Sequence, residues 1–326
     1  MNVYAGPASG IFSPTVAGIR ERVYVPNTKS GTVSVIDPRT YKVIRTLVVG
    51  GVPHHVTPSW DLRELYVDNP GNGLLETIDP KTARLGRMIR VPTPYNLYFT
   101  PDGKKAIDVA EYDRKIEFRN PHTWGLLKAV AIPGRGVDHM DFSADGSFLL
   151  VTSEYTGDLT KVSTTKMKVT GHVNLGGRPI DVKISPNGKL FYVANQGRGG
   201  VSIVDPVRMK QIAFLPTGAG AHGFAVSRNA RYLYCSDRIA GTIAVISFKE
   251  RSVVATWNVG GSPDMLQVSP NGKALWASNR FGDTVSVIST SAGRVVHSIV
   301  VGREPHGLTY FPQPGRFSVG HNGVYR

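Results

Sequence analysis

The stretch Pro179-Ile180-Asp181-Val182-Lys183-Ile184-Ser185-Pro186-Asn187-Gly188-Lys189-Leu190-Phe191-Tyr192-Val193-Ala194-Asn195, continued by Gln196-Gly197-Arg198-Gly199-Gly200-Val201-Ser202-Ile203-Val204-Asp205, decides the fold. Ile180 to Ser185 reads as an inner strand, and Pro186-Asn187-Gly188-Lys189 as a tight reversal. Leu190 to Asn195 is a second strand, Val201 to Asp205 a third, and Lys210 to Leu215, polar on alternate residues, a fourth. The opening of this unit recurs as Gly51-Val52-Pro53-His54-His55-Val56, Pro94-Tyr95-Asn96-Leu97, Val137-Asp138-His139-Met140, Ala221-His222-Gly223-Phe224, Pro263-Asp264-Met265-Leu266 and Pro305-His306-Gly307-Leu308. Anchors at 53, 94, 137, 179, 221, 263 and 305 lie 41, 43, 42, 42, 42 and 42 residues apart. Four short strands per period of about 40–45 residues predict a propeller blade, so the expected fold is an all-β, seven-bladed β-propeller with four antiparallel strands per blade.

The ends of the chain complete each other. Arg22 to Asn27, Thr32 to Asp37 and Lys42 to Leu47 supply second, third and fourth strands, whereas Pro305 to Phe311 supplies only an inner one. Joining them in one blade closes the ring and removes the exposed sheet edge. The expected organisation is an irregular N-terminal strap over 1–21, a single propeller over 22–312, and a C-terminal tail over 313–326 packed on it. His321 reaches a site only if that tail crosses the funnel.

At 326 residues the chain suits one toroid, and 36 Gly and 22 Pro are what a turn-dense β protein needs. No apolar run is long enough to span a membrane, and the first residues lack a signal-peptide pattern. The net charge, 38 − 24 = +14, is spread through every blade rather than clustered, so nucleic acid is not an expected partner. Cys235, in Tyr232-Leu233-Tyr234-Cys235-Ser236, reads as an inert strand residue. His122, His172 and His297 fall in outer strands and turns, and a monomer is expected.

The second-strand strings Tyr24-Val25-Pro26-Asn27, Tyr66-Val67-Asp68-Asn69 and Tyr192-Val193-Ala194-Asn195, with Val-Ser-Val-Ile-Asp at 33–37 and Val-Ser-Ile-Val-Asp at 201–205, resemble the YVTN-type seven-bladed propeller family. The resemblance covers residues 22–312. Similar proteins include YncE-like secreted bacterial proteins, amine dehydrogenase propeller subunits, the haem d1 domain of nitrite reductase, lactonases and virginiamycin B lyase. It implies a secreted or periplasmic protein and leaves the chemistry open. Glu111-Tyr112 and Glu154-Tyr155 depart from the pattern in blades three and four.

Strand direction alternates within a blade, so the fourth-to-first and second-to-third connections share one face around the central channel. The first residue after each anchor is His306, His54, Tyr95, Asp138, Ile180, His222 and Asp264 in ring order. The next position adds His55, Asn96, His139 and Asp181, and the second-to-third turns add Glu111, Glu154, Arg198, Arg238 and Arg280. Imidazoles and carboxylates converging from rigid strands suit a transition metal such as copper, zinc or iron, with His54, His222 and His306 as candidate ligands. His222 with Asp264 could instead serve as general base and orienting carboxylate of a lactonase, lyase or oxidoreductase. Tyr95, Asp138, His139, Arg238, Arg280, Glu111 and Glu154 are candidate contacts to a small-molecule ligand or protein partner, the arginines gripping a carboxylate. A water-filled polar funnel without metal, and a surface docking module, remain alternative readings at this point.

Overall fold

The computed structural model describes residues 2–326 and contains seven four-stranded antiparallel sheets. Blade one pairs Thr309–Phe311 with Arg22–Asn27, followed by Thr32–Asp37 and Lys42–Val48, so the two ends of the chain close the ring. Its closing register sets Arg22, Val23 and Tyr24 opposite Phe311, Tyr310 and Thr309. The inner strands of blades two to seven are His55–Pro58, Asn96–Phe99, Val137–Phe142, Pro179–Ile184, Ala221–Val226 and Pro263–Val268. No helix among the described residues is long and apolar enough to cross a membrane.

Burial follows strand rank. Inner strands are buried along almost their whole length, whereas the fourth strand of blade four, Lys168–Asn174, alternates exposed and half-buried residues. Both faces of a blade meet neighbours: Leu150 and Leu159 of blade four join Val182, Ile184, Phe191 and Val193 of blade five in one core cluster. Each such side chain contributes about 1.5–3 kcal/mol on full burial. Trp276 is sealed between blades seven and one, with its ring centroid 5.8 Å from that of Tyr310.

The first-to-second turns repeat one hydrogen-bond scheme. Ser185 Oγ donates to Asn187 Oδ1 (2.8 Å) and accepts from Leu190 N (3.0 Å). Ser143 with Asp145, Ser227 with Asn229 and Ser269 with Asn271 do the same. Gly188 at φ 73° supplies the left-handed step that this reversal requires. These turns lie on the face away from the funnel, where the N-terminal segment also docks through Tyr4 Oη to Ile184 O (2.8 Å).

Candidate functional site

A bulge sets the residue after the anchor in blades four to seven. Val137 pairs with Ser153 and Met140 with Val151, which leaves Asp138 and His139 opposite Thr152 alone. The same two-against-one step places Ile180 and Asp181, His222 and Gly223, and Asp264 and Met265 in the bulges of blades five, six and seven. A bulge turns a side chain out of the regular alternation, here toward the axis. The amide it frees is met by a second-strand hydroxyl: His139 N donates to Thr152 Oγ1 (3.1 Å), Gly223 N to Ser236 Oγ (2.8 Å) and Met265 N to Ser278 Oγ (3.2 Å). Thr152 and Ser236 donate onward to Ile180 O (2.6 Å) and Asp264 O (2.5 Å), tying each bulge to the next blade.

Six of the nine histidines converge on the channel in two layers. In the upper layer, the His54 ring lies 4.3 Å from that of His306 and 4.7 Å from Tyr95, and His55 lies 4.8 Å from His306, centroid to centroid. His54, His55 and His306 each offer a nitrogen within 4.8 Å of the others. His54 Nδ1, His55 Nε2 and His306 Nδ1 are buried and have no hydrogen-bond partner. His55 Nδ1 lies 2.7 Å from Asn322 Oδ1; the carbonyl oxygen can only accept, so the proton is on Nδ1 and Nε2 keeps its lone pair. Burial is the main reason all three imidazoles are neutral: it pulls His54 and His306 well below their ordinary value and His55 to about 4.

His222 and Asp264 stand beside this group in a different state. His222 Nδ1 is 3.0 Å from Asp264 Oδ1, and the Arg238 guanidinium donates to both His222 Nε2 and Asp264 Oδ1. Burial alone would raise the Asp264 carboxyl, but Arg238, His222 and Arg280 outweigh it and hold the group well below the carboxylate range. Arg280 Nη1 reaches Asp264 Oδ2 only at 3.8 Å. Arg238 is thus engaged by the protein's own carboxylate.

The opposite side of the funnel is acidic. Glu154 Oε1 accepts from Arg178 Nη2 (2.5 Å), and Glu111 Oε1 accepts from Tyr155 Oη (3.2 Å). Burial, with Glu154 nearby, raises Glu111 to about 7. Asp138 is fully enclosed, and burial together with Glu154 and Glu111 pushes it well above its ordinary value.

The lower layer is built by the tail. Residues 318–323 are buried within the channel, where His321 N donates to Leu97 O (2.7 Å) and Gln267 Nε2 donates to Asn322 O (2.6 Å). Leu97 N donates to Asn96 Oδ1 (2.9 Å), which fixes the amide so that Asn96 Nδ2 faces His139 Nδ1 (2.7 Å) and His321 Nδ1 (3.1 Å). Those two nitrogens therefore accept. Asp181, the third member of this group, accepts from Lys183 Nζ (2.8 Å) and Phe224 N (2.9 Å). With both Nδ1 atoms accepting, His139 Nε2 carries the proton and is buried without a hydrogen-bond partner, 3.3 Å from Asp138 Oδ1.

Sequence reasoning named His54, His222 and His306 as metal ligands and left His55 at the next position. The structure groups His54 and His306 with His55, and His222 with Asp264 and His306. Asn322 was missed, because nothing in a non-repeating tail marks a residue that orients a histidine on another blade.

No curated protein matches the chain in sequence. Among solved structures, Kuenenia stuttgartiensis hydrazine synthase is similar at 20% identity and a TM-score of 0.74, over 86% of this chain and 94% of that one. A functionally unknown protein from Desulfotomaculum acetoxidans DSM 771 aligns at 15% identity and a TM-score of 0.78, over 90% and 99%. The dihydro-heme d1 dehydrogenase NirN, in complex with DHE, aligns at 14% identity and a TM-score of 0.69, over 91% and 76%. At these identities the likeness is one of fold. The model of the YNCE-like beta-propeller family matches residues 12–314, all seven blades and the closing strand included, and the chain belongs to that family.

Proposed function

We propose that this propeller is an extracytoplasmic protein that binds a copper or zinc ion at the funnel face through His54, His55 and His306. One observation carries the reading: three neutral imidazoles, His55 and His306 buried and His54 half-buried, converge with nitrogens that no protein group satisfies. A buried polar atom without a partner costs about 1–3 kcal/mol, and neutral imidazole is the form that ligates copper and zinc. Asn322, accepting from His55 Nδ1, is the outer partner that a metal-bound histidine usually has. The other two groups of metal-ligating residues among the described residues offer less. Arg238 covers His222 and Asp264, and Asn96 and Lys183 occupy His139, His321 and Asp181. The same guanidinium on His222 Nε2 favours binding over His222-based catalysis, since a general base needs that lone pair. Tyr95, Glu111 and Arg280 border the site and would contact a small-molecule ligand or a protein partner there.

The test is metal analysis of untagged protein, followed by titration of the chelator-treated protein with Cu²⁺ and Zn²⁺. One equivalent should bind and raise the melting temperature, and the variant H54A/H55A/H306A should lose both effects. Absence of stoichiometric binding by the parent protein, or its retention in the triple variant, refutes the proposal.

A further inference from the structure

On the face away from the funnel, a cleft of about 60 Å³ lies between the ends of the inner strands of blades six and seven and the tail. Its walls mix apolar side chains, Phe224, Leu266 and Val268 among them, with the polar groups of Lys183, Arg228, Gln267, Gln313 and Tyr325. A water needs roughly 10–15 Å³ on this measure, so the cleft has room for several non-hydrogen atoms.

Arg228 is the anomaly. Three other enclosed cations have carboxylate partners: Lys183, on the same cleft, with Asp181 (2.8 Å), Arg326 with Asp141 (2.6 Å), and Arg238 with Asp264. Arg228 donates only to neutral oxygens, all through Nη2: Val268 O (3.3 Å), Ser269 O (3.1 Å) and Gln313 Oε1 (2.6 Å). Its Nε is buried without a partner. Burial with no facing carboxylate brings the guanidinium down to about 10. The Tyr325 hydroxyl on the same cleft is likewise buried and unpartnered. Charge and donors here exceed what the fold itself uses.

We infer that this cleft is a second binding site, for a small organic carboxylate whose charge meets Arg228 and whose short apolar body lies against Phe224, Leu266 and Val268. The anion would accept hydrogen bonds from the guanidinium and, after a small rotation, from the Tyr325 hydroxyl. Arg228 follows the inner strand of blade six, Ala221–Val226, on the face away from the funnel, and none of His54, His55 and His306 lines the cleft.

Titration calorimetry and thermal shift with formate, acetate, propionate and butyrate at fixed ionic strength test the inference, with chloride and phosphate as comparison anions. Saturable binding should strengthen from formate to propionate, R228Q should abolish it, and H54A/H55A/H306A should leave it unchanged. The Tyr325 hydroxyl makes no hydrogen bond in the free protein, so Y325F should fold as stably as the parent yet bind propionate about tenfold more weakly. Y325F therefore decides the matter even if R228Q fails to fold. Equal responses to chloride or phosphate, no saturation with any carboxylate, or undiminished binding in Y325F overturns the inference.

Discussion

Replacing Glu111 by Gln should make the protein more stable at pH 8 than at pH 5, relative to the parent. Glu111 follows the second strand of blade three, Ala106–Ala110, and is largely buried at the funnel wall. Its one side-chain hydrogen bond comes from Tyr155 Oη, and Arg178, the nearby cation, is taken by Glu154. Burial raises the carboxyl from 4.5 to about 7. Between those two values the folded protein holds a proton that the unfolded chain has released. Native stability therefore falls as pH rises through this window and levels off above it. At 1.36 kcal/mol per pH unit, the interval of about 2.5 sets an upper bound near 3.4 kcal/mol, and screening by funnel water reduces it to about 2 kcal/mol. Glutamine keeps the acceptor for Tyr155 and cannot ionise. With an unfolding entropy of about 2.1 cal/mol/K per residue, 2 kcal/mol corresponds to roughly 3 °C for a chain of this length. Differential scanning calorimetry of E111Q and parent at pH 5, 6, 7 and 8 should show the melting difference rising by about that amount. A flat or falling difference refutes the assignment of Glu111 as an uncompensated buried acid.

Arg238→Met strands the buried Asp264 carboxylate, and urea denaturation should show a loss of about 3–5 kcal/mol, partly recovered in R238M/D264N. Ser236→Ala removes the hydroxyl that accepts from Gly223 N and donates to Asp264 O, which should cost about 1–3 kcal/mol by the same assay. Asn322→Ala touches no proposed ligand atom but frees the tautomer of His55, so Zn²⁺ or Cu²⁺ affinity should fall about 10–100-fold while secondary structure, followed by circular dichroism, stays unchanged.

The blades were legible because their information is local. A Ser-x-Asn-Gly turn and a Val-Ser-Ile-Val-Asp strand read the same wherever they sit, and a step of 42 residues carries the pattern around the ring. The ring of residues after the anchors was legible for the same reason, which is how His54 and His306 could be placed together although 252 positions separate them. What escaped depends on relations between strands that no single strand encodes. The place of His222 and Asp264 in the ring was legible, but the bulge that aims them, two residues opposing one, shows only once both strands are paired. Arg238 sits at a turn from which a guanidinium can face solvent or fold inward; inward prevails because Asp264 would otherwise be a lone charge in an enclosed space. His55 begins its strand while His54 precedes it, so the strict alternation that would send neighbouring side chains to opposite faces does not apply, and both rings reach His306. The tail is the extreme case. Its glycines offer no periodic signal, yet at Gly320, with φ 94°, a Cβ would come within 2.5 Å of Leu97 O. Only a residue without a side chain brings the backbone close enough to hand Asn322 to His55, so the segment least like a blade is the one that finishes the site.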